Sequence, residues 1–437
     1  MRPIIIPQSS PRHIASNLNV QTVARWLSYY SYAELRLMEA QAGWLAFVPQ
    51  YELKIELGYQ LYDDATHVNA MRARLPEVGA FGEQTQPPNE AFVTFCNELT
   101  NTEDLIEQFV GVYQVLRPHL AATYRHQISH DDNVANFPTV RLLQHAIDDH
   151  EKYATWGQTV LHSLLLSEAD WTKAEAWRLH LLTLLNVAGG VTGKTSGDLS
   201  VPDVAVRDAG PGKRFRSDPP VRDSRFRIEA YHRHEGRAAT DVWDRESLVN
   251  YMFMMVEGEI EATENCGRTL FDFPNAPWEL RYKIAQQLWD EARHAELSLQ
   301  RFWELGGKLD MLPVRDTFPL YLPCAKQTDI AKRLVQLNQV IEGWVMDDFA
   351  MMVEICRGLG DERSARLFEY LLTDEWLHIK IGADWLPRLT TDNPVYRNDV
   401  VQFRTQTEND LYQGLKEAAQ ESAEKHRKTA IFNNVIA

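Results

Sequence analysis

The stretch Trp278–His294, WELRYKIAQQLWDEARH, decides the architecture. Its apolar residues recur every three or four positions, the stripe of an amphipathic helix. It ends on Glu291-Ala-Arg-His294, an acid and an imidazole three residues apart and so on one helical face. A second stretch, Tyr51–His67 (YELKIELGYQLYDDATH), lies over it without a gap. Seven of the 17 positions are identical, among them Asp63/Asp290, Ala65/Ala292 and His67/His294. The register runs on to Glu77/Glu304 and Gly79/Gly306, where both helices are expected to end on a glycine. A weaker match sets Val140–Leu161 over Ala365–Leu386, with Arg141/Arg366, Leu142/Leu367, Asp149/Asp374, Gly157/Gly382 and Leu161/Leu386 in common. Duplication of a helical unit is the simplest account.

Outward from these segments, helical spacing dominates from about Val20 to Leu184 and again from about Asp241 to Arg388. β-branched alternation is nearly absent, so the expected fold class is all-α. Between the halves, Gly189–Arg237 is rich in Gly, Pro, Asp and Arg, with Gly210-Pro-Gly212 and Pro219-Pro220, and reads as a long irregular connector. Its Gly189–Thr195 stretch, GGVTGKT, invites a phosphate-loop reading, but the first glycine of that motif falls on Ala188 and no strand precedes it. The expected domains are a degenerate helical bundle over 15–188, a connector over 189–240, a metal-binding bundle over 241–392 and a helical tail over 393–437.

The chemistry lies in the Glu-x-x-His stretches. Glu229-Ala-Tyr-His232 sits in the connector with no partner helix and is set aside as accidental. Glu291–His294 and Glu375-Trp-Leu-His378 are each preceded, one helix earlier, by an acid in an otherwise apolar segment. Ahead of Glu291 runs Asn250–Glu264 (NYMFMMVEGEIEATE), with Glu257, Glu261 and Glu264 on one stripe; ahead of Glu375 runs Gln339-Val-Ile-Glu342-Gly-Trp-Val345. One Glu from each of two helices and a Glu-x-x-His from each of two others is the di-iron or di-manganese carboxylate pattern of ferritin-like bundles. Two divalent ions about 3.5–4 Å apart need bridging carboxylates to offset their charge. Carboxylate oxygen and imidazole nitrogen suit iron or manganese. Six such groups buried without a metal would be very costly.

The expected ligands are therefore Glu291, His294, Glu342, Glu375 and His378, with Glu261 or Glu257 as the sixth. Glu261 is favoured because the ungapped register carries it onto Glu34; Glu257 shares its face one turn earlier. Asp290 and Asp374 read equally as holders of the imidazoles and as solvated surface acids. The expected cofactor is two Fe ions, with Mn/Fe as the other option. In the first half Glu34, Asp64 and His67 remain, but Glu342 maps to Arg117, Glu375 to His150 and His378 to Tyr153. An arginine where a bridging carboxylate belongs repels a metal pair, so this half is expected to be structural, serving as a lid or as a homodimer surface.

The net charge of −16, from 45 basic and 61 acidic residues, repels phosphate backbones and argues against nucleic-acid binding. No run of about 18 apolar residues appears, so no membrane span is expected. The apolar start Met1–Pro7 is too short for a signal peptide. The cysteines Cys96, Cys266, Cys324 and Cys356 form no CxxC pair and read as buried thiols in a reducing cytoplasm.

The run Ile341–Trp385, IEGWVMDDFAMMVEICRGLGDERSARLFEYLLTDEWLHIKIGADW, resembles an uncharacterised bacterial family of the ferritin-like superfamily. That family shows a similar Glu, a Gly-Asp turn and an Asp-Glu-x-x-His-x-x-x-Gly ending. The resemblance covers roughly 250–390, with the first half an echo of it. It implies two ferritin-like four-helix bundles and a metal site, but no substrate. The superfamily holds N-oxygenases, hydroxylases, desaturase-type oxidases, transfer-RNA-modifying enzymes and storage ferritins; the acidic surface speaks against a transfer-RNA substrate. The expected function is an O₂-activating non-haem di-iron oxygenase or oxidase acting on a small organic substrate, supplied by an electron donor. Metal storage or peroxide scavenging, and a binding protein with a structural metal, are the alternatives. Met252, Met255, Trp289, Trp344, Phe349, Met352 and Trp376 read as core or as walls of a substrate pocket.

Overall fold

Capping and glycine turns set the limits of the helices. The computed structural model describes residues 17–82, 85–194, 206–207, 220–230, 243–308, 314–316, 318–411 and 413. In the first half the helices are α1 (Val20–Trp44), α2 (Tyr51–Glu77), α3 (Glu90–Asn101), α4 (Leu105–Phe109), α5 (Arg117–His130), α6 (Phe137–Leu164) and α7 (Glu168–Val187). In the second they are α8 (Arg245–Asp272), α9 (Trp278–Glu304), α10 (Phe318–Lys326), α11 (Ile330–Leu334), α12 (Glu342–Gly358) and α13 (Glu362–Leu389). Residues 394–411 form a further helix. The fold is all-α in class; one three-residue parallel pairing, Ile228–Ala230 with Val314–Asp316, interrupts it. Among the described residues no helix is long and apolar enough to cross a membrane.

Asp244 accepts the Ser247 amide at 2.8 Å and starts α8, and Asp361 accepts the Ser364 amide at 3.0 Å and starts α13. Gly79 (φ +81°) and Gly306 (φ +92°) end α2 and α9 in the left-handed conformation that a side chain disfavours. The paired amides Gly306→Trp303 and Gly307→Phe302, both at 2.9 Å, close the last turn of α9. Two π-helical segments, Val110–Leu116 and Val335–Ile341, link α4 to α5 and α11 to α12. Each packs against a glycine of a later helix, Gly157 and Gly382. A Cβ on Gly157 would lie 2.0 Å from the ring of Tyr113; one on Gly382 would lie 2.5 Å from the Gln339 amide.

The chain divides into two compact units: Met1–Trp44 with Gln60–Arg216, and Leu45–Tyr59 with Ser217–Ala437. The start of α2 thus belongs to the second unit, although the sequence assigns all of 15–188 to the first. Its polar residues explain this: Tyr51 donates to Glu257 and Lys54 to Glu264 of α8. In the second unit α8 packs on α9, α12 on α13, and α9 on α13. Met252, Val256 and Ile260 of α8 meet Leu299 and Phe302 of α9, with Met352 and Phe368 from α12 and α13.

Of the expected connector, residues 195–205, 208–219 and 231–240 lie outside the described residues, as do 15–16, 412 and 414–437 of the flanking regions. The described part of GGVTGKT continues from the end of helix α7 rather than from a strand.

Gly157→Ala should lower the stability of the first unit by about 1–3 kcal/mol, the usual cost of overpacking, because Tyr113 is buried and its ring has no room to retreat. Urea unfolding followed by tryptophan fluorescence measures the loss; an unchanged midpoint would contradict this packing.

Candidate metal centre

Four helices each send acidic groups to one buried place in the second unit. Glu259 comes from α8, Glu291 and His294 from α9, Glu342 from the first position of α12, and Glu375 and His378 from α13. None of the six is more than 5% exposed. The i, i+3 spacing puts each Glu-x-x-His pair on one face. Glu342 directly follows the π-helical segment, whose extra residue per turn changes the direction of the side chains after it.

The ligand atoms fall into two sets, each within 4.8 Å: Glu259, Glu291, His294 and Glu375, and Glu291, Glu342, Glu375 and His378. Glu291 and Glu375 are common to both sets, so each would be able to give an oxygen to both of two neighbouring ions. His294 turns Nδ1 toward Glu291 Oε2 and Glu375 Oε1 at 3.4 Å, and toward Glu259 Oε2 at 3.6 Å. That nitrogen is buried and makes no hydrogen bond. His378 turns Nδ1 toward Glu375 Oε2 at 2.8 Å and Glu291 Oε1 at 3.3 Å.

The outer nitrogens are held by carboxylates from the opposite helix. His294 Nε2 lies 3.1 Å from Asp374 of α13, and His378 Nε2 lies 3.4 Å from Asp290 of α9. Arg293 ties the two aspartates together at 2.6 and 2.8 Å. A carboxylate at Nε2 keeps a proton on that nitrogen, so Nδ1 is the nitrogen that would give its lone pair to a bound cation. The sequence offered Asp290 and Asp374 as holders of the imidazoles; the structure makes the pairing a crossed one. It also adds a residue that the reading missed. Gln287 donates to Glu342 at 2.8 Å and to Glu291 at 3.1 Å, and is itself held by Asn338 at 2.7 Å. The signal for it was present, since Gln60/Gln287 is one of the identities in the repeat.

The electrostatics are those of acids buried close together. Burial pushes the Glu342 carboxyl well above the usual range, and the neighbouring Glu375 and Glu291 add to it. Burial also raises Glu259 to about 8, against the lowering effect of His294. Burial pulls the His378 imidazole down, but Glu291 and Glu375 outweigh it and bring it to about 10. No lysine or arginine among the described residues bonds to Glu259, Glu291, Glu342 or Glu375. Their oxygens and the two imidazole nitrogens are hard and borderline donors suited to iron or manganese.

Glu261 and Glu257 are not at this centre. Glu259 stands there instead, and residues two apart on a helix point ~200° from one another. Arg222 faces Glu257 and Glu264 at 3.2 Å and pairs with Glu261; Tyr51 and Lys54 complete this second buried network. The ungapped register failed because the interval from Glu259 to Glu291 is two residues longer than that from Glu34 to Asp64. The difference arises at the end of the first helix: α8 has 28 residues against 25 in α1, while the connection that follows it, 273–277, is one residue shorter than 45–50. The accidental Glu229–His232 stretch has Glu229 in the short strand, and His232 lies outside the described residues.

In the first unit Glu34, His67 and His150 also bring ligand atoms within 4.8 Å of one another. Arg117 is buried among them, bonding Asp64 at 2.8 and 2.9 Å and His150 Nδ1 at 3.1 Å. A guanidinium only donates, so His150 Nδ1 accepts, and its Nε2 carries the hydrogen given to Glu34 Oε1 at 2.7 Å. His67 Nε2 lies 3.1 Å from Asp149, and Tyr153 donates to Asp63. Both nitrogens of His150 are therefore used, which leaves Glu34 Oε2 and His67 Nδ1 as the open ligand atoms.

A cavity of about 90 Å³ opens onto Glu259, Glu291, Glu342 and Glu375. Met255, Trp344 and Phe349 line it, as three of the seven residues named from the sequence. Met252 and Met352 are in the apolar core, Trp289 packs under Arg293, and Trp376 is 56% exposed.

Residues 196–435, more than half of the chain, match the family described as "Protein of unknown function (DUF455)". The chain belongs to that family, and the matched span contains all six residues of the centre. No curated protein and no solved structure matches the chain.

Arg222→Ala leaves three buried carboxylates with Lys54 to balance them, and should destabilise the second unit by about 3–5 kcal/mol. Chemical denaturation measures this. Glu261→Gln should leave bound metal unchanged, while Glu259→Gln lowers it; equal metal loss in both would contradict the placement of Glu259.

Proposed function

We propose that this protein is an O₂-activating non-haem di-iron oxidoreductase, an oxygenase or oxidase acting on a small organic molecule. The observation that carries this reading is the pair of ligand sets sharing Glu291 and Glu375, open on one side to a cavity. Four buried glutamates match two divalent cations in charge, and the donor set favours iron, with Mn/Fe as the alternative. Two such ions supply the reduction of O₂, with electrons from a donor. The chain's own part is to hold them. Asp374 and Asp290 orient the two histidines, Gln287 orients Glu342, and the apolar walls keep water from the cavity.

The same reading extends to the fold. Each unit is a ferritin-like four-helix bundle, and the two arose by duplication. Asp104 and Asp329 cap α4 and α11 alike, the π-helical segments follow at the same distance, and α6 and α13 have the same length of 28 residues. All these elements recur 225 residues on, as Val110 to Val335 and Arg117 to Glu342 illustrate. The first unit is the structural copy, with the Arg117 guanidinium where the other unit has Glu342. The four cysteines are free and buried, in keeping with a reducing cytoplasm.

Metal analysis of the purified protein should find about two transition-metal ions per chain. Most of this should be lost in a Glu342→Ala, His378→Ala double variant, and retained in Glu34→Ala and in His67→Ala. Retention of both ions in the double variant would sink the site assignment. Reduced, iron-loaded protein should consume O₂ and keep its two ions through repeated cycles of reduction and oxidation. Accumulation of many ions would point to a store, and no O₂ uptake at all to a structural metal.

A further inference from the structure

The short helix α10 carries Tyr321 and Cys324, three residues apart and so on one face, and both are buried. The helix packs on α8 and on the π-helical segment that leads into Glu342, the elements that bring Glu259 and Glu342 to the centre. Tyr321 is thereby a wall of the same cavity as Glu259, Glu291, Glu342 and Glu375.

Other buried phenols of the chain give their hydrogen to a fixed acceptor. Tyr124 donates to Glu34 at 2.7 Å, Tyr113 to Gln60 at 2.9 Å, and Tyr51 to Glu257. Tyr321 differs. It is 9% exposed, and its hydroxyl makes no hydrogen bond with the described residues. Burial pushes its phenol well above the usual range, and Glu342, Glu259, Glu291 and Glu375 add to this, so the hydroxyl keeps its proton and acts as a donor. A buried donor without an acceptor is costly. One that lines a cavity finds its acceptor in what the cavity holds. Met254, Met255, Val345 and Phe349 add apolar walls, against which the rest of such a ligand lies.

We propose that Tyr321 is a positioning donor of this cavity, whose hydroxyl gives a hydrogen bond to the acceptor atom of a small ligand held beside the four carboxylates. The class of ligand is a small molecule or anion with an oxygen or nitrogen lone pair free to accept. The assignment rests on the two-ion reading of the centre, because four carboxylates repel a further lone pair unless cations offset their charge.

The test uses azide, a small anion with such lone pairs, titrated into the full chain with its iron bound and oxidised. Absorbance follows the binding, and metal content is measured on the same samples. Tyr321→Phe should keep its metal and weaken azide at least about threefold, the share of one hydrogen bond. Tyr321→Leu should weaken it at least as much, and serves if the phenylalanine variant does not fold. The infrared stretch of bound azide should shift in D₂O in the wild-type protein and lose that shift in Tyr321→Phe, a signature that a purely structural role does not carry. Equal azide binding in the wild type and the variants, a stretch insensitive to D₂O, or no azide binding at all would overturn the assignment. So would a phenolate charge-transfer band in the oxidised protein that Tyr321→Phe removes, since the tyrosine is then a ligand and not a donor. Fewer than two ions in the wild-type protein would sink the two-ion reading and the proposal with it, whereas two ions with azide unaffected by Tyr321→Phe overturns the proposal alone.

Discussion

Carboxylates taken out of water within a few ångströms of one another repel, and burial removes the solvent that would screen them. Three groups of buried acids among the described residues meet this constraint in different ways. Glu257, Glu261 and Glu264 face Arg222 and Lys54, supplied by the segment after the connector and by the start of α2. Asp64 faces Arg117. Glu259, Glu291, Glu342 and Glu375 face two imidazoles and one another, with no lysine or arginine bonded to them among the described residues. The placement of α2, the fold of the 220–226 segment and the chemistry of the centre all follow from how each group of acids is balanced.

The supports around the proposed centre cross from one helix to another. Asp374 of α13 holds His294 of α9, and Asp290 of α9 holds His378 of α13. Asn338, in the π-helical segment, reaches both Gln287 of α9 and the carbonyl of His378 at 3.0 Å. A shift of either helix would disturb both Glu-x-x-His pairs. For the proposed two-ion centre this rigidity would remove the cost of ordering six side chains at the moment of binding.

The two units set similar side chains in similar places and balance them differently. Glu34, His67 and Asp149 occupy the first unit as Glu259, His294 and Asp374 occupy the second. One cation, Arg117, donates to His150 and so turns a second imidazole from a lone-pair donor into a hydrogen-bond donor toward Glu34. A histidine with both ring nitrogens in hydrogen bonds has no lone pair to offer a cation.

Much was legible in the residues themselves. Helical spacing, the glycine stops at Gly79 and Gly306, and the acid–imidazole pairs at Glu291–His294 and Glu375–His378 are local patterns, because a helix places residues three and four apart on one face whatever surrounds it. Glu342 was legible too, since an acid in an apolar helix needs a partner. The first-helix acid was not. Glu257, Glu259, Glu261 and Glu264 all lie on α8, and only the rotation of that helix against α9 and Arg222 decides which one faces the centre. Two residues gained between Glu259 and α9, where α8 runs on longer than α1, were enough to mislead an ungapped register. The same holds for the crossed aspartates, for the cavity beside Tyr321 and for the share of α2 that joins the second unit. Each depends on which side chains from distant segments meet. Sequence determined the helices and the kinds of ligand they carry, and tertiary packing decided which of those groups share a buried space and which cation, if any, sits among them.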